Sequence, residues 1–503
     1  MRSDNELYRQ LRALPAGQLL AEEVPAYGRL QGRERVARVA LIRAVGTVVS
    51  ACRDERLKDA ARDWLRGLMK DPEEKVRRYA AAALPKFASG AAEESAILDA
   101  LKVSGEERER RRLAEALEKV GGEATLRAVE AGETSEVSVR KVKAGIARKS
   151  GGVSARMDVR IPFRPGSMVH LRCRRGLESF VAEETAGSPF KVREVRAGCV
   201  IADVTREFSL AEAHALRCFD TLSFPLGVIR NPGTPSAVDE LAALIASASS
   251  VRLMELLSEG APRYRLSLDG ASAKVIDRIA ERAYALAPSV LNDPKSAAWT
   301  IDVISSPLGA GVELRPRVSP DPRMHYRTAA VDAASHPPLA ACLARVSLGA
   351  DAEVIWDPFC GSGLELVERA MLGGVRRAVG TDINPAAVAL ARVNFEAAAV
   401  RDVTGEFISC DFRDAPLKGG LGRGSVSLVI SNPPLGRRVR VPNLHGLFAD
   451  LFKVSAEVLR PGGLLVFVNP LRLEPEGLPL RPDHRRTVDL GGYDCRLEVY
   501  RRV

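Results

Sequence analysis

The sequence predicts a multidomain α and α/β protein: an N-terminal α-helical array, an α+β middle and a C-terminal doubly wound parallel sheet. Three observations predict it. Residues 1–152 are rich in Ala, Leu, Arg and Glu with helical periodicity and hardly a strand signal. Residues 153–330 mix short alternating strands with helices, the change falling at Lys149-Ser-Gly-Gly-Val153. Residues 331–503 alternate strand and helix regularly, with glycine turns and acidic residues at strand ends.

The C-terminal third carries the chemistry. A hydrophobic run from Val354 enters Asp357-Pro-Phe-Cys-Gly-Ser-Gly363, and a helical pattern follows over 364–370. Gly361 and Gly363 have no Cβ where the backbone must pass close to a ligand and enter a helix. A second strand ends at Asp382, whose carboxylate can accept both ribose hydroxyls of a nucleotide-like ligand. Asn384-Pro385 then starts a helix with a good cap. A third element ends at Asp411, suited to an adenine amino group at the same sheet edge. The fourth strand, 426–430, runs into Ser431-Asn-Pro-Pro-Leu-Gly436. The Asn432 oxygen and a carbonyl of the rigid Pro433-Pro434 turn can both accept from an exocyclic NH2. That aims the nitrogen lone pair at an electrophile without a general base.

These four landmarks resemble a class I S-adenosylmethionine-dependent methyltransferase of the Asn-Pro-Pro-aromatic type, with a Rossmann-like catalytic domain. The resemblance implies S-adenosyl-L-methionine as cofactor, held by Asp357, Phe359, Cys360, Gly361, Gly363, Asp382, Ile383, Asp411, Phe412 and Asn432. It implies a target pocket formed by Asn432, Pro433, Pro434 and Leu435. Two positions depart from the family pattern: Leu364 stands where Thr is usual, and Leu435 where an aromatic stacks on the flipped base. A base–aromatic stack contributes roughly 1–3 kcal/mol, and leucine offers a smaller flat contact. Residues 444–459 read as a helix, Arg460-Pro-Gly-Gly463 as a turn into a strand at 464–468, and 487–500 as two strands resembling the family's reversed final hairpin.

The N-terminal third contains an echo. The stretch from Asp71 to Leu84 aligns with that from Glu106 to Leu117 at a spacing of 33, with weaker copies at 136–146 and 34–45. Asp-Pro before a Val-Arg-x-x-Ala-x-x-Ala-Leu helix resembles HEAT-like repeats, which implies a short α-solenoid and a docking module for a protein partner. Arg108, Arg110, Arg111, Arg112, Arg140, Lys141 and Lys143 read equally as a nucleic-acid track or as solvated helix faces.

In the middle, strands at 167–173, 192–195 and 199–204 and a helix over 174–184 resemble the region preceding the catalytic domain of THUMP-containing RNA methyltransferases. Residues 263–268, 272–286 and 299–304 resemble the THUMP half itself, with Asn292-Asp-Pro294 at a characteristic turn. The resemblance implies an RNA-binding region that holds the tRNA acceptor end. It also implies that the loop of Tyr326-Arg327 and His336-Pro-Pro338 closes over the methionine end of the cofactor.

The net charge of +10 and pI near 9.3 favour a polyanionic partner. Arg437, Arg438 and Arg440, in a loop beside the target pocket, are positioned to hold RNA phosphates. No apolar run approaches a membrane span of roughly 18 residues, and the N-terminus lacks a signal region, so the expected location is cytoplasmic. Eight scattered cysteines form no Cys-x-x-Cys pair, so neither disulfides nor a metal site is expected. The expectation is an RNA methyltransferase acting on an exocyclic base amine, with guanine N2 of tRNA favoured. The alternatives are adenine N6, ribosomal RNA, a protein glutamine amide, or an inactive RNA-binding scaffold.

Overall fold

The computed structural model describes residues 4–87, 90–232, 234–306, 309–328, 335–348, 353–436 and 440–503. The chain forms two compact units, Met1–Val153 with Ile229–Val303, and Ser154–Val228 with Ile304–Val503. Residues 153–330 therefore contribute to both.

The first unit is led by amphipathic helices. Asp54 starts helix Glu55–Leu68 by accepting from the Arg56 N–H. Helices Ala40–Val48 and Glu74–Ala83 touch at Gly46, where a Cβ would lie 2.7 Å from that of Ala83. The 33-residue echo survives in the side chains. Arg77 donates to the Asp71 and Pro72 carbonyls, and Arg110 to those of Leu101 and Ser104. Each then grips a carboxylate further along the chain. Arg77 meets buried Glu109 at 2.6 and 2.8 Å, and Arg110 meets Glu136 at 2.7 and 3.1 Å.

The same unit holds the parallel strands Arg263–Ser267, Leu291–Asn292 and Trp299–Ser306, over the last of which the chain passes into the second unit. Buried Arg263 donates to the carbonyls of Ala147, Gly151 and Gly152. Asp293, of the Asn-Asp-Pro turn, is fully buried and takes Arg148 at 2.7 and 3.0 Å. That acid is committed to structure.

In the second unit, strands Phe190–Arg196, Cys199–Val204, Met168–Arg172, Thr221–Ile229 and Gly309–Pro316 lie side by side in that order. Glu313 pins three of them by accepting from His170, Arg172 and Ser223. Burial pushes its carboxyl up, but those bonds overcome the effect and hold it at about 2. The helix expected from 174 begins only at Glu178. Gly176 adopts φ 96° in the preceding turn, and a Cβ there would stand 2.0 Å from the Thr487 carbonyl oxygen.

The larger sheet of this unit has seven strands. They are β1 (Val354–Asp357), β2 (Arg377–Asp382), β3 (Thr404–Ser409), β4 (Val426–Ser431), β5 (Leu459–Asn469), β6 (Leu480–Asp489) and β7 (Asp494–Arg502). Their order is β3-β2-β1-β4-β5-β7-β6. The first five are parallel, and β7 enters antiparallel between β5 and β6, as the expected reversed hairpin requires. Helices α1 (Pro337–Val346), α2 (Leu364–Met371), α3 (Pro385–Ala397) and α4 (Leu444–Val458) accompany them. The strand expected at 464 starts at Leu459, because Arg460-Pro-Gly-Gly463 forms a bulge between the pairs Val426–Leu459 and Leu428–Leu464. Trp356, Val429, Phe448, Phe452, Phe467 and Tyr500 fill the core on one side.

The Arg77–Glu109 pair yields a stability prediction. Arg77→Met should leave the fully buried Glu109 without its cation and cost about 3 kcal/mol. Denaturant melts check this; a cost below about 1 kcal/mol would show that the pair is dispensable.

Candidate active site at the carboxyl ends of the parallel strands

Parallel strands deliver their side chains to one sheet edge, and expected residues from four strands meet there. Asp357 ends β1 and is fully buried. Its Oδ1 accepts from the Ser431 hydroxyl at 2.6 Å and the Phe359 N–H at 3.0 Å, tying β1, β4 and the glycine turn together. Its Oδ2 is buried with no hydrogen-bond partner. Burial, then the neighbouring Glu365 charge, pushes this carboxyl well above the usual carboxylate range.

The turn itself is shaped by two left-handed glycines, Gly361 at φ 48° and Gly363 at φ 83°. Gly363 lies against α3, where a Cβ would be 3.2 Å from that of Ala391, whereas a Cβ on Gly361 would meet nothing within 4 Å. The turn is therefore closed on the helix side and open above Gly361. Asp382, at the end of β2, accepts from the Gly361 N–H at 3.0 Å and the Asn384 N–H at 2.9 Å. Ile383 beside it is 76% exposed, an apolar side chain left uncovered on this edge. Cys360 is buried, with its thiol pushed up by burial and then by Asp357, which suits a packing group rather than a nucleophile.

Asp411 stands two residues beyond β3 and starts the turn Phe412–Asp414, accepting from the Arg413 N–H. The Arg413 guanidinium also binds it, at 2.9 and 3.1 Å. The Phe359 and Phe412 rings lie 4.9 Å apart at 52°. Thus Phe359, Gly361, Asp382, Asp411 and Phe412 are brought to one edge by β1, β2 and β3.

Asn432 follows β4. Its Nδ2 donates to the Ser335 hydroxyl at 2.9 Å, and its Oδ1 is buried without a partner. The amide orientation leaves an acceptor available beside the Pro433-Pro434 turn. Leu435 is half-buried and Leu364 fully covered. Arg440 is exposed, while Arg437 and Arg438 lie outside the described residues.

Two residues here escaped sequence reasoning. Ser335 orients Asn432 and also faces Glu365, on the first turn of α2. Glu365 is 3% exposed, and its Oε1 has no partner. The available signal was a carboxylate inside the apolar run Leu364, Leu366, Val367, directly after the glycine turn. The segment preceding α1 is anchored nearby. The Tyr326 hydroxyl donates to Glu368 at 2.6 Å, and Thr328 donates to Asn394, which in turn donates to the Ser362 carbonyl at 2.9 Å.

Burial pushes the Glu365 carboxyl up to about 7, with the Ser335 hydroxyl opposing and the Glu368 charge adding to it. The native state therefore keeps a proton that the unfolded chain releases above about pH 4.5. Stability from this group is full below that pH and falls as pH rises through about 7, by on the order of 3 kcal/mol. Asp357 acts in the same direction. Glu365→Gln should flatten the fall between pH 5 and 7 in denaturant melts; an unchanged slope would mean that burial does not burden this carboxyl.

Residues 324–478 match the UPF0020 family, described as an RMKL-like methyltransferase domain. A ribosomal protein L11 methyltransferase of Geobacter metallireducens is 35% identical over 147 residues, 29% of this chain and 40% of that protein. A tRNA (guanine(10)-N2)-dimethyltransferase of Methanothermobacter thermautotrophicus is 28% identical over 158 residues, 31% of this chain and 44% of that protein. The chain spans about half the length, or less, of the curated relatives it matches. Among solved structures, TrmN from Thermus thermophilus shares the fold, with a TM-score of 0.53 and 22% identity over 67% of this chain and 100% of that one. The strand-end site lies inside the stretch 324–478 that matches the RMKL-like methyltransferase domain model.

Proposed function

We propose that the chain is an S-adenosylmethionine-dependent methyltransferase acting on an exocyclic amine of an RNA base, with guanine N2 of tRNA as the favoured target. The observation that carries this reading is Asn432. With its Nδ2 engaged by Ser335, the buried Oδ1 is a fixed acceptor beside a proline turn at the sheet edge. An acceptor of this kind, with a turn carbonyl, holds an NH2 group by both hydrogens and leaves the nitrogen lone pair directed outward. The base has to leave its stack to reach such a pocket.

The site residues fit the cofactor. The open space above Gly361, the unpartnered Asp357 Oδ2 and the apolar Ile383 form a cradle for a nucleoside bearing a charged tail. Asp382 would take the ribose hydroxyls, and Asp411 with Phe359 and Phe412 the adenine. S-adenosylmethionine supplies an activated methyl group on a positively charged sulfur. The chain's own part is to bind, orient and exclude water, and Asn432 with the Pro433 carbonyl orients the acceptor amine. Cys360, Gly363 and Pro434 shape the two walls, and Leu435 covers the target base.

In this reading Arg437, Arg438 and Arg440 hold RNA phosphates, the THUMP-like segments contribute RNA binding, and the HEAT-like helices form a docking module. A second reading, methylation of a protein, is favoured by the L11 methyltransferase relative. Its substrate would present an amine or amide to the same Asn432 acceptor.

Calorimetry with S-adenosylmethionine on the wild type and Asp382→Ala tests the cofactor site: micromolar binding should be lost in the variant, and wild-type protein that binds none sinks the enzyme reading. Mass spectrometry of tRNA, ribosomal RNA and ribosomal proteins from a deletion strain then identifies the methylated molecule. Leu435→Tyr should raise kcat/KM about tenfold or more if position 435 covers a flipped base, since the added stack is worth roughly 1–3 kcal/mol. A fall in kcat/KM would show that the pocket is shaped for something other than a stacked base.

A further inference from the structure

The helical unit contains a cleft that the strand-end site does not use. It has a volume of about 530 Å³ and is lined by Arg78, Tyr79, Arg108, Arg111, Arg112 and Glu115. Its walls are helices Glu74–Ala83 and Glu107–Val120, one repeat apart. Four guanidinium groups and one carboxylate line it, and Arg78 is also paired with Glu74 at 3.3 Å.

We propose that this cleft is a phosphate-docking groove for the RNA substrate, separate from the methyltransferase domain; the identity of its occupant rests on the RNA reading above.

The repeat divides labour between adjacent arginines. Arg77 and Arg110 turn inward and hold loop carbonyls and a carboxylate in each repeat. Their neighbours Arg78 and Arg111, also 33 residues apart, line the cleft. Arg108, Arg111 and Arg112 stand at i, i+3 and i+4, so they share one helix face. All three are exposed, and the Arg108 side chain has no hydrogen bond or ion pair among the described residues. Glu115 serves both Arg111, at 3.8 Å, and Arg112, which leaves an excess of positive charge.

The next basic helix is different. Arg140 is buried against Asp277 and Glu281, and Lys141 bridges Glu118 and Asp277 at 3.2 and 3.3 Å. On that helix Arg140 and Lys141 are thus held by acidic partners, whereas the cleft arginines share a single lining carboxylate. Guanidinium forks match phosphate oxygens two at a time, while Tyr79 packs against the helical core with Arg78 over its ring, 5.8 Å from the centroid. Such forks suit carboxylates as well as phosphates, and it is the RNA reading above that favours an RNA strand over an acidic peptide.

The experiment uses the full chain and bulk tRNA, with affinity measured across a salt series. The triple variant Arg108→Gln/Arg111→Gln/Arg112→Gln should bind tRNA at least about tenfold more weakly near 0.1 M salt. Its log–log salt slope should be shallower by about 2, since each phosphate contact carries about 0.7 on single-stranded RNA. Lysine at the same three positions should restore most of the slope, and S-adenosylmethionine affinity should not change in either variant. A glutamine triple that binds tRNA like the wild type, with the same slope, overturns the groove and leaves the function reading intact. Wild-type protein that binds S-adenosylmethionine but not tRNA overturns both the groove and the RNA reading. Poly-glutamate competing as well as tRNA would assign the cleft to an acidic protein instead and overturn the proposal.

Discussion

The Asp357 carboxylate is the constraint on which the site depends. A single oxygen joins the Ser431 hydroxyl at the end of β4 to the Phe359 N–H at the start of the glycine turn. That bond sets where the chain leaves β1 and where Asn432 begins after β4, so the glycine turn and the Asn-Pro-Pro turn share one origin. The cost is a buried charge with an unpartnered second oxygen, facing another buried carboxyl in Glu365. Neither group is tolerable as an isolated ion in an apolar interior, and both are therefore biased toward the protonated form. A cationic ligand at this edge would reverse the bias, which is a physical reason for two carboxyls to persist here.

Much of this was legible in the sequence, because strand-end chemistry is local. A glycine pair after an apolar run, an acid at the end of the next strand and Asn-Pro-Pro after the fourth are each set by neighbours in the chain, and Asp382 and Asn432 lie at the same edge. Ser335 was not legible, since its only signal is proximity to Asn432 across 97 residues. Glu365 carried a local signal, a charge in an apolar run, whose meaning depends on which face of α2 is covered. The late start of helix Glu178–Glu184 was equally hidden. It follows from a carbonyl 311 residues away that leaves no room for a Cβ at Gly176.

In the helical unit the reverse holds: the sequence period was plain, and the roles of the charges were not. Adjacent arginines read identically in a list of basic residues. In the fold, Arg77 and Arg110 are struts to carboxylates of the next segment, Arg140 is a buried tie to Asp277, and Arg108 and Arg111 are exposed to solvent. Exposed ion pairs contribute little to stability, whereas a guanidinium holding a buried carboxylate is costly to remove. Charge composition alone therefore overstates how many of these groups are available to a polyanion.

The two leucines that depart from the family pattern separate on the same physical ground. Leu364 is fully covered at the first position of α2, where its side chain adds to the packing under the glycine turn. A hydroxyl lost there removes a polar contact but leaves the turn's backbone, set by Gly361, Gly363 and Asp382, unaltered. Leu435 is only half-buried, in the turn that follows β4 with Asn432 and Pro433. Part of its apolar surface is therefore uncovered, without the wide face an aromatic ring would give. The first substitution is therefore a packing choice, and the second, in the function proposed above, bears on how tightly a planar target is held.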